Sequence, residues 1–141
     1  MNPEINFIEN FKFSHVDFKD VKSWIFDSVK EEGLDVGVLT YVFLSDEELL
    51  VYNRDYLEHD FYTDVITFDD SIGKVINGDI LISVDRIIDN ANQLKIKFKQ
   101  EFLRVVIHGV LHLCGYKDKV DNDIKIMREK EQYYLNQVGF N

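Results

Sequence analysis

Two histidines with helical spacing are the residues of this chain best suited to chemistry. His108 and His112 lie four positions apart in the segment HGVLH, and residues i and i+4 of an α-helix project from the same face. Both imidazoles can therefore reach one metal ion. Asp118 follows six residues after His112, beyond a glycine at which we expect the chain to turn back. Two histidines, a carboxylate and an open fourth position form the ligand set of a catalytic zinc site.

Other interpretations of this segment must be weighed against the zinc site. A histidine pair that only packs in a core has the same spacing, and Cys114 nearby is expected to be a small buried hydrophobe and not a ligand. Structural zinc sites normally use four ligands rich in cysteine, so three ligands without cysteine favour catalysis. Zinc proteases of the HExxH type place Glu after the first histidine as general base. Here that residue is Gly109, which disfavours such a peptidase and leaves the general base unnamed.

The elements that must position these residues follow from hydrophobic periodicity and capping signals. The histidine pair is expected on a long helix over residues 98–114. Further helices are predicted at about 14–32, capped by Ser14, and at about 45–56, 84–94 and 122–138, with strands at 36–44, 65–69 and 79–83. The pattern predicts an α+β fold in which helices pack on a small mixed β-sheet. The metal motif then lies on a long helix and the turn after it.

Composition predicts one domain spanning residues 1–141 and a cytoplasmic protein. The chain has no linker rich in Pro, Gly or Ser and no run of ~20 apolar residues. Its N-terminus lacks the basic start and apolar stretch of a signal peptide. A single cysteine excludes an internal disulfide, which suits a reducing compartment.

The charge is distributed unevenly along the chain. The 26 acidic and 16 basic side chains give a net charge of −10, which by itself argues against nucleic-acid binding. Residues 1–85, however, hold 19 acidic and 6 basic side chains, whereas residues 86–130 hold 10 basic and 6 acidic ones. The part that carries the histidine pair is therefore basic. Its candidates for phosphate contact are Lys95, Lys97, Lys99, Arg104, Lys117 and Lys119.

Four blocks of sequence together carry a family resemblance. They are HGVLHLCGYKD at 108–118, NRDYLEHDFYTDVITFD at 53–69, GDILIS at 78–83, and the pair Met127 and Glu131. They resemble, in order, H-G-x-L-H-L-x-G-Y-D-H, N-x-x-Y-R-x-x-D-x-P-T-D/N-V-L-S-F, G-D-I-x-I-S and M-x-x-x-E. These are motifs of the YbeY family of bacterial metal-dependent endoribonucleases.

The resemblance implies a zinc-dependent endoribonuclease specific for single-stranded RNA. It further implies a role in 3′-end maturation of 16S rRNA and in ribosome quality control. Expected partners are ribosomal RNA precursors, the small ribosomal subunit and its assembly factors, with no membrane and no DNA. Two alternatives stay open: a non-catalytic ribosome-assembly module with a bound metal, and a metallohydrolase acting on another class of substrate.

Two departures from the family motifs bear on the site. The third ligand, usually His in the family, is Asp118 here, which lowers the charge of a zinc site and widens the choice of metal toward Mn²⁺ or Fe²⁺. Leu57 stands where the family commonly has Arg. Arg54 lies about one helical turn earlier, and our hypothesis is that it supplies the missing catalytic cation to the phosphate. A solvated surface arginine is the alternative.

One acidic residue on the same predicted helix is a further candidate. Glu101 lies seven residues before His108 and on the same helix face. It is expected either to orient an imidazole through a hydrogen bond or to be an exposed acid.

Overall fold

The computed structural model describes residues 2–9 and 16–138. In chain order the elements are β1 (Glu4–Glu9), α1 (Phe18–Glu31), β2 (Asp35–Leu44), α2 (Asp46–Leu57), β3 (Val65–Asp69), β4 (Val75–Ser83), α3 (Val84–Leu94), α4 (Phe98–Leu113) and α5 (Asp121–Leu135). None of the helices in these described ranges combines the length and the apolar character needed to cross a bilayer.

The four strands form one mixed sheet in the order β1-β2-β4-β3. The β1–β2 and β2–β4 pairs are parallel, and the β3–β4 pair is an antiparallel hairpin. The α+β prediction with a small mixed sheet is therefore confirmed. Strand β1 was not predicted and precedes α1, so the prediction that a helix is the first element is wrong. Among residues 4–8 of this strand only Ile5 is buried, and a single buried position is a weak strand signal.

The two faces of the sheet are covered by different helices. Leu39, Tyr41 and Phe43 of β2, with Ile80 and Ile82 of β4, belong to the main core, which also includes buried residues of α1 and α4. A smaller core on the other face joins Leu44, Leu49, Ile66 and Leu81 beneath α2. The helix α4 lies in the main core with ten buried residues between Glu101 and Leu113. The histidine pair is therefore carried by the best-buried helix of the described chain.

Most predicted helix boundaries agree with the structure within three residues. The capping box of α2 is formed, with Ser45 and Glu48 exchanging side-chain and backbone hydrogen bonds. The start of α1 differs, because Asp17 has extended backbone angles and caps a helix that begins at Phe18. The predicted cap, Ser14, lies outside the described residues. At the other end of the chain, α5 stops at Leu135 and not at 138.

Candidate metal centre

The histidine pair lies at the partly exposed edge of α4. His108 and His112 are 12% and 23% exposed, and the intervening Gly109 is buried against the sheet. A Cβ atom built on Gly109 would lie 2.6 Å from Cγ2 of Ile80 and 3.6 Å from Cγ2 of Val65. Glycine at this position therefore allows α4 to approach the sheet closely. The position that bears glutamate in zinc proteases is used here for helix–sheet packing.

Three side-chain atoms converge at the solvent-facing edge of α4. Nε2 of His112 lies 3.0 Å from Nε2 of His108, and Oδ2 of Asp118 lies 3.2 Å from Nε2 of His108 and 3.4 Å from Nε2 of His112. Gly115, with φ of +105°, makes the turn that brings Asp118 back to the helix. The structure thus brings together all three predicted ligand residues, which form a group able to hold a metal ion.

Hydrogen bonds on the far side of each ring orient the imidazoles. Nδ1 of His112 donates to the backbone carbonyl of Tyr116 at 2.9 Å, and Nδ1 of His108 donates to Oε2 of Glu131 at 2.6 Å. A carbonyl can only accept, and an ionised carboxylate can only accept, so both protons are assigned to Nδ1. Both Nε2 atoms then present lone pairs beside the oxygen of Asp118. This donor set fits a divalent cation.

The protonation of the site also suits a cation. Burial lowers the pKa of His112, and the neighbouring His108 lowers it further, which outweighs the opposing effect of Asp118. Burial by itself would raise the pKa of Glu131, but the hydrogen bond from His108 and the charge of Arg104 hold it below its usual range. A neutral imidazole is the form that binds metal, and an ionised Glu131 keeps its partner ring oriented.

Glu131 itself is held by a buried charge network. Nη1 of Arg104 lies 3.4 Å from Oε1 of Glu131, and Nε and Nη2 of Arg104 each lie 2.8 Å from an oxygen of Glu101. Glu101 is fully buried, and Asn90 donates to it at 3.2 Å. Both expectations for Glu101 are therefore wrong. It neither touches an imidazole nor faces solvent, because it pairs with Arg104.

The residue that does orient His108 was missed as a positioning group. Glu131 appeared in the sequence only as half of the M-x-x-x-E block, 23 positions away from His108. The signal that would have found it is its place on α5, where Met127 and Glu131 are both buried four residues apart. A buried carboxylate needs a partner, and α5 packs directly on α4. Arg104 was a candidate for phosphate contact, but in the structure it forms ion pairs with carboxylates.

The loop before β3 is tied to the same network. Nη2 of Arg104 lies 3.4 Å from Oδ2 of Asp64, a carboxylate that is 29% exposed. Asp64 belongs to the 53–69 block and directly precedes β3. Arg104 therefore links this loop to α4, one helical turn before His108.

Cys114 and Arg54 do not join the group of ligand atoms. Cys114 is partly buried against the main core, and burial, with the charges of Glu32 and Asp69, raises its pKa to about 12. A neutral thiol packed in this way is a hydrophobe and not a ligand. The guanidinium of Arg54 pairs with Asp60, its Nε lying 2.8 Å from Oδ1, and both side chains are at least half exposed.

Comparison with known proteins identifies the family of this chain. A family model described as endoribonuclease YbeY matches residues 5–139. The chain belongs to this family. It is 48% identical over 113 residues to the endoribonuclease YbeY of Flavobacterium psychrophilum, covering 80% of this chain and 81% of that protein. The match to endoribonuclease YbeY of Christiangramia forsetii is 41% over 129 residues, covering 92% and 90%.

A solved structure shares the fold of this YbeY family member. The solution structure of TM1509 from Thermotoga maritima aligns with a TM-score of 0.68 and 31% sequence identity. The alignment covers 96% of this chain and 89% of that chain.

Proposed function

We propose that this YbeY family member is a metal-dependent endoribonuclease that cleaves single-stranded RNA. Its ligands for one Zn²⁺ ion are His108, His112 and Asp118. The observation that carries the proposal is the convergence of two Nε2 lone pairs and a carboxylate oxygen, at 3.0 to 3.4 Å from one another. Relatives of similar length that are named endoribonuclease YbeY support RNA as the substrate.

The protein residues prepare this site in three ways. Glu131 keeps a proton on Nδ1 of His108, and the carbonyl of Tyr116 keeps one on Nδ1 of His112. Asp118 adds a hard oxygen ligand with a negative charge, which admits Mn²⁺ or Fe²⁺ beside Zn²⁺. When bound, such an ion supplies Lewis acidity toward a phosphate oxygen and lowers the pKa of water. The described residues place no carboxylate directly after His108, so Gly109 contributes packing and no proton transfer.

Arg54 is our proposed phosphate-binding cation. Its ion pair with Asp60 is exposed on both sides, and exposed pairs of this kind contribute only about 0–1 kcal/mol. Exchanging Asp60 for an RNA phosphate therefore costs little. Leu57, at the position of the family arginine, leaves that charge to be supplied by another residue.

The cellular role is proposed from the family and from composition. Residues 1–141 act as one cytoplasmic domain, consistent with the single Cys114. The substrates are precursors of ribosomal RNA, including the 3′ end of the 16S rRNA, and the partners are the small ribosomal subunit and its assembly factors.

The proposal is tested with a panel of matched substrates. The purified protein is incubated with a single-stranded RNA, the DNA of the same sequence and the RNA duplex, before and after removal of metal by a chelator. We expect cleavage of the single-stranded RNA alone, loss of activity on chelation and recovery with added Zn²⁺, Mn²⁺ or Fe²⁺. Bound metal without cleavage of any substrate would instead indicate an assembly module, and cleavage insensitive to the chelator would exclude metal-dependent catalysis.

A further inference from the structure

A largely buried carboxylate at the end of α1 forms a hydrogen-bonded cluster near the metal centre. The side chain of Glu32 is 10% exposed. It accepts a hydrogen bond from the hydroxyl of Tyr116 at 2.5 Å, one from Nζ of Lys130 at 3.0 Å and one from the hydroxyl of Tyr134. The ammonium of Lys130 also lies 5.5 Å from the centroid of the Tyr116 ring, within range of a cation–π contact. These four residues are called the Glu32 cluster below.

One member of the Glu32 cluster belongs to the turn that completes the metal centre. Tyr116 follows Gly115 and lies two residues before Asp118. Its backbone N–H donates to the carbonyl of Leu111 at 3.1 Å, and its own carbonyl accepts from Nδ1 of His112 at 2.9 Å. The backbone of Tyr116 thus sets the proton position on His112, while its side chain is held from α1 and α5.

The structure assigns Glu32 as a positioning residue for two of the three proposed metal ligands. By holding the ring of Tyr116, Glu32 fixes the carbonyl that orients His112 and the turn that carries Asp118. Glu32 touches neither ligand, and its effect passes through Tyr116. This inference rests on the proposed ligand set of His108, His112 and Asp118.

Two adjacent residues of α5 support the two imidazoles. One binds His108 directly, and the other acts on His112 through Glu32 and Tyr116. Lys130 of α5 binds Glu32, and the next residue, Glu131, binds His108. Glu32, the residue that follows α1, binds Tyr116 from a sequence distance of 84 residues. Outer-shell partners of this kind fix the ring orientation and the tautomer of ligating histidines, and their loss costs roughly 10–100-fold in metal affinity.

Two tyrosine variants separate this role from general stability. Tyr116→Phe and Tyr134→Phe each remove one hydroxyl from the same carboxylate of Glu32, but only Tyr116 belongs to the turn. Zinc affinity is measured by competition with a chelating dye, and unfolding by urea shows whether each variant is folded. The tautomer of His112 is read by ¹H–¹⁵N NMR in the metal-free protein at a pH above the imidazole pKa, so that this readout does not require zinc binding.

We expect Tyr116→Phe to weaken zinc binding by about tenfold, at the lower end of the outer-shell range, and to reduce the Nδ1–H tautomer of His112. The zinc affinity of Tyr134→Phe should stay within about twofold of wild type, and the tautomer of His112 should be unchanged in this variant. Glu32→Gln should follow Tyr116→Phe.

Two results would overturn the positioning role of Glu32. One is a wild-type zinc affinity and His112 tautomer in Tyr116→Phe. The other is an equal loss of affinity in Tyr116→Phe and Tyr134→Phe, which would assign the effect to stability. Failure of the wild type itself to bind zinc would contradict the proposed ligand set, whereas the tautomer of His112, read without metal, tests the positioning role separately.

Discussion

Nδ1 of His108 lies 2.6 Å from Oε2 of Glu131, although the two residues belong to different helices and are 23 positions apart. This contact ties the orientation of a proposed ligand to the packing of α5 on α4. Glu131 is 98% buried and ionised. Loss of its hydrogen bond to His108 would therefore cost free energy, because a buried carboxylate needs a partner. The metal centre is therefore built on a contact between two helices of the core.

Glu131→Gln tests this contact directly. The amide keeps the size of the side chain but removes the negative charge that favours the proton on Nδ1 of His108. We expect zinc affinity to fall by about 10-fold or more, as for other partners of ligating histidines. Isothermal titration with Zn²⁺ measures the loss. Glu129→Gln, an exposed change on the same helix, is the matched control and should bind zinc as wild type does; equal affinities in all three proteins would refute the role of Glu131.

The second prediction concerns the buried pair of Arg104 and Glu101. Arg104→Met leaves the carboxylate of Glu101, which is fully buried, with Asn90 as its remaining side-chain partner among the described residues. Stranding a buried charge costs about 3–5 kcal/mol, so the free energy of unfolding of the metal-free protein should fall by that amount in urea. Adding Glu101→Gln removes the stranded charge and should recover part of the loss. A loss below about 1 kcal/mol in Arg104→Met would show that the pair contributes as little as an exposed one.

The third prediction is the acid dependence of stability through Glu32. Burial raises the pKa of Glu32, but hydrogen bonds from Tyr116, Tyr134 and Lys130 outweigh it and hold the pKa below its ordinary value of 4.5. The unfolded chain therefore takes up this proton at a higher pH than the folded one does. The stability that Glu32 contributes is complete above pH 4.5 and is lost as the pH falls through the lowered folded pKa.

Urea midpoints from about pH 6 to about pH 3, a range that brackets the ordinary pKa of 4.5, measure this effect. Glu32→Gln should give a shallower fall with pH than wild type. Glu31→Gln, a neighbouring change at an exposed position, should retain the steeper slope. Identical slopes for wild type and Glu32→Gln would contradict the lowered pKa of Glu32.

The fourth prediction concerns Arg54. If its guanidinium binds the phosphate being cleaved, Arg54→Ala should slow single-turnover cleavage by about 100-fold, the order of loss for one preorganised donor. Arg54→Lys keeps the charge and should lose less. Lys74→Ala removes an exposed cation from the β3–β4 turn and serves as the control. We would abandon the hypothesis if Arg54→Ala cleaved RNA as fast as wild type.

Local sequence signals predicted the helices and strands that are stabilised by interactions between residues close in sequence. The helix α3 spans 84–94 as expected, because Ile87 and Ala91 lie on one buried stripe and Ser83 caps it. The strand β1 was missed because its stability comes from parallel pairing with β2, some 34 positions along the chain. Strand pairing over such a distance leaves little trace in six residues.

The same distinction holds within the metal centre. The ligands could be predicted because helical spacing joins His108 to His112 and a glycine turn returns Asp118. Their supports could not, because Glu131 and Glu32 reach the site only after α5 and α1 have packed. For Glu101 the helix face was predicted correctly but the partner was not. Its partner is Arg104, three positions along the same helix.

The initial rate of cleavage of a single-stranded ribosomal RNA fragment, with wild type and His112→Ala compared at equal zinc, tests the central claim most directly. His112 supplies one of three proposed ligands, and its loss should remove the metal from its working position. The proposed function predicts cleavage by wild type and a rate at least about 100-fold lower for His112→Ala. Equal rates in the two proteins, or no cleavage by a wild type that holds zinc, would contradict it.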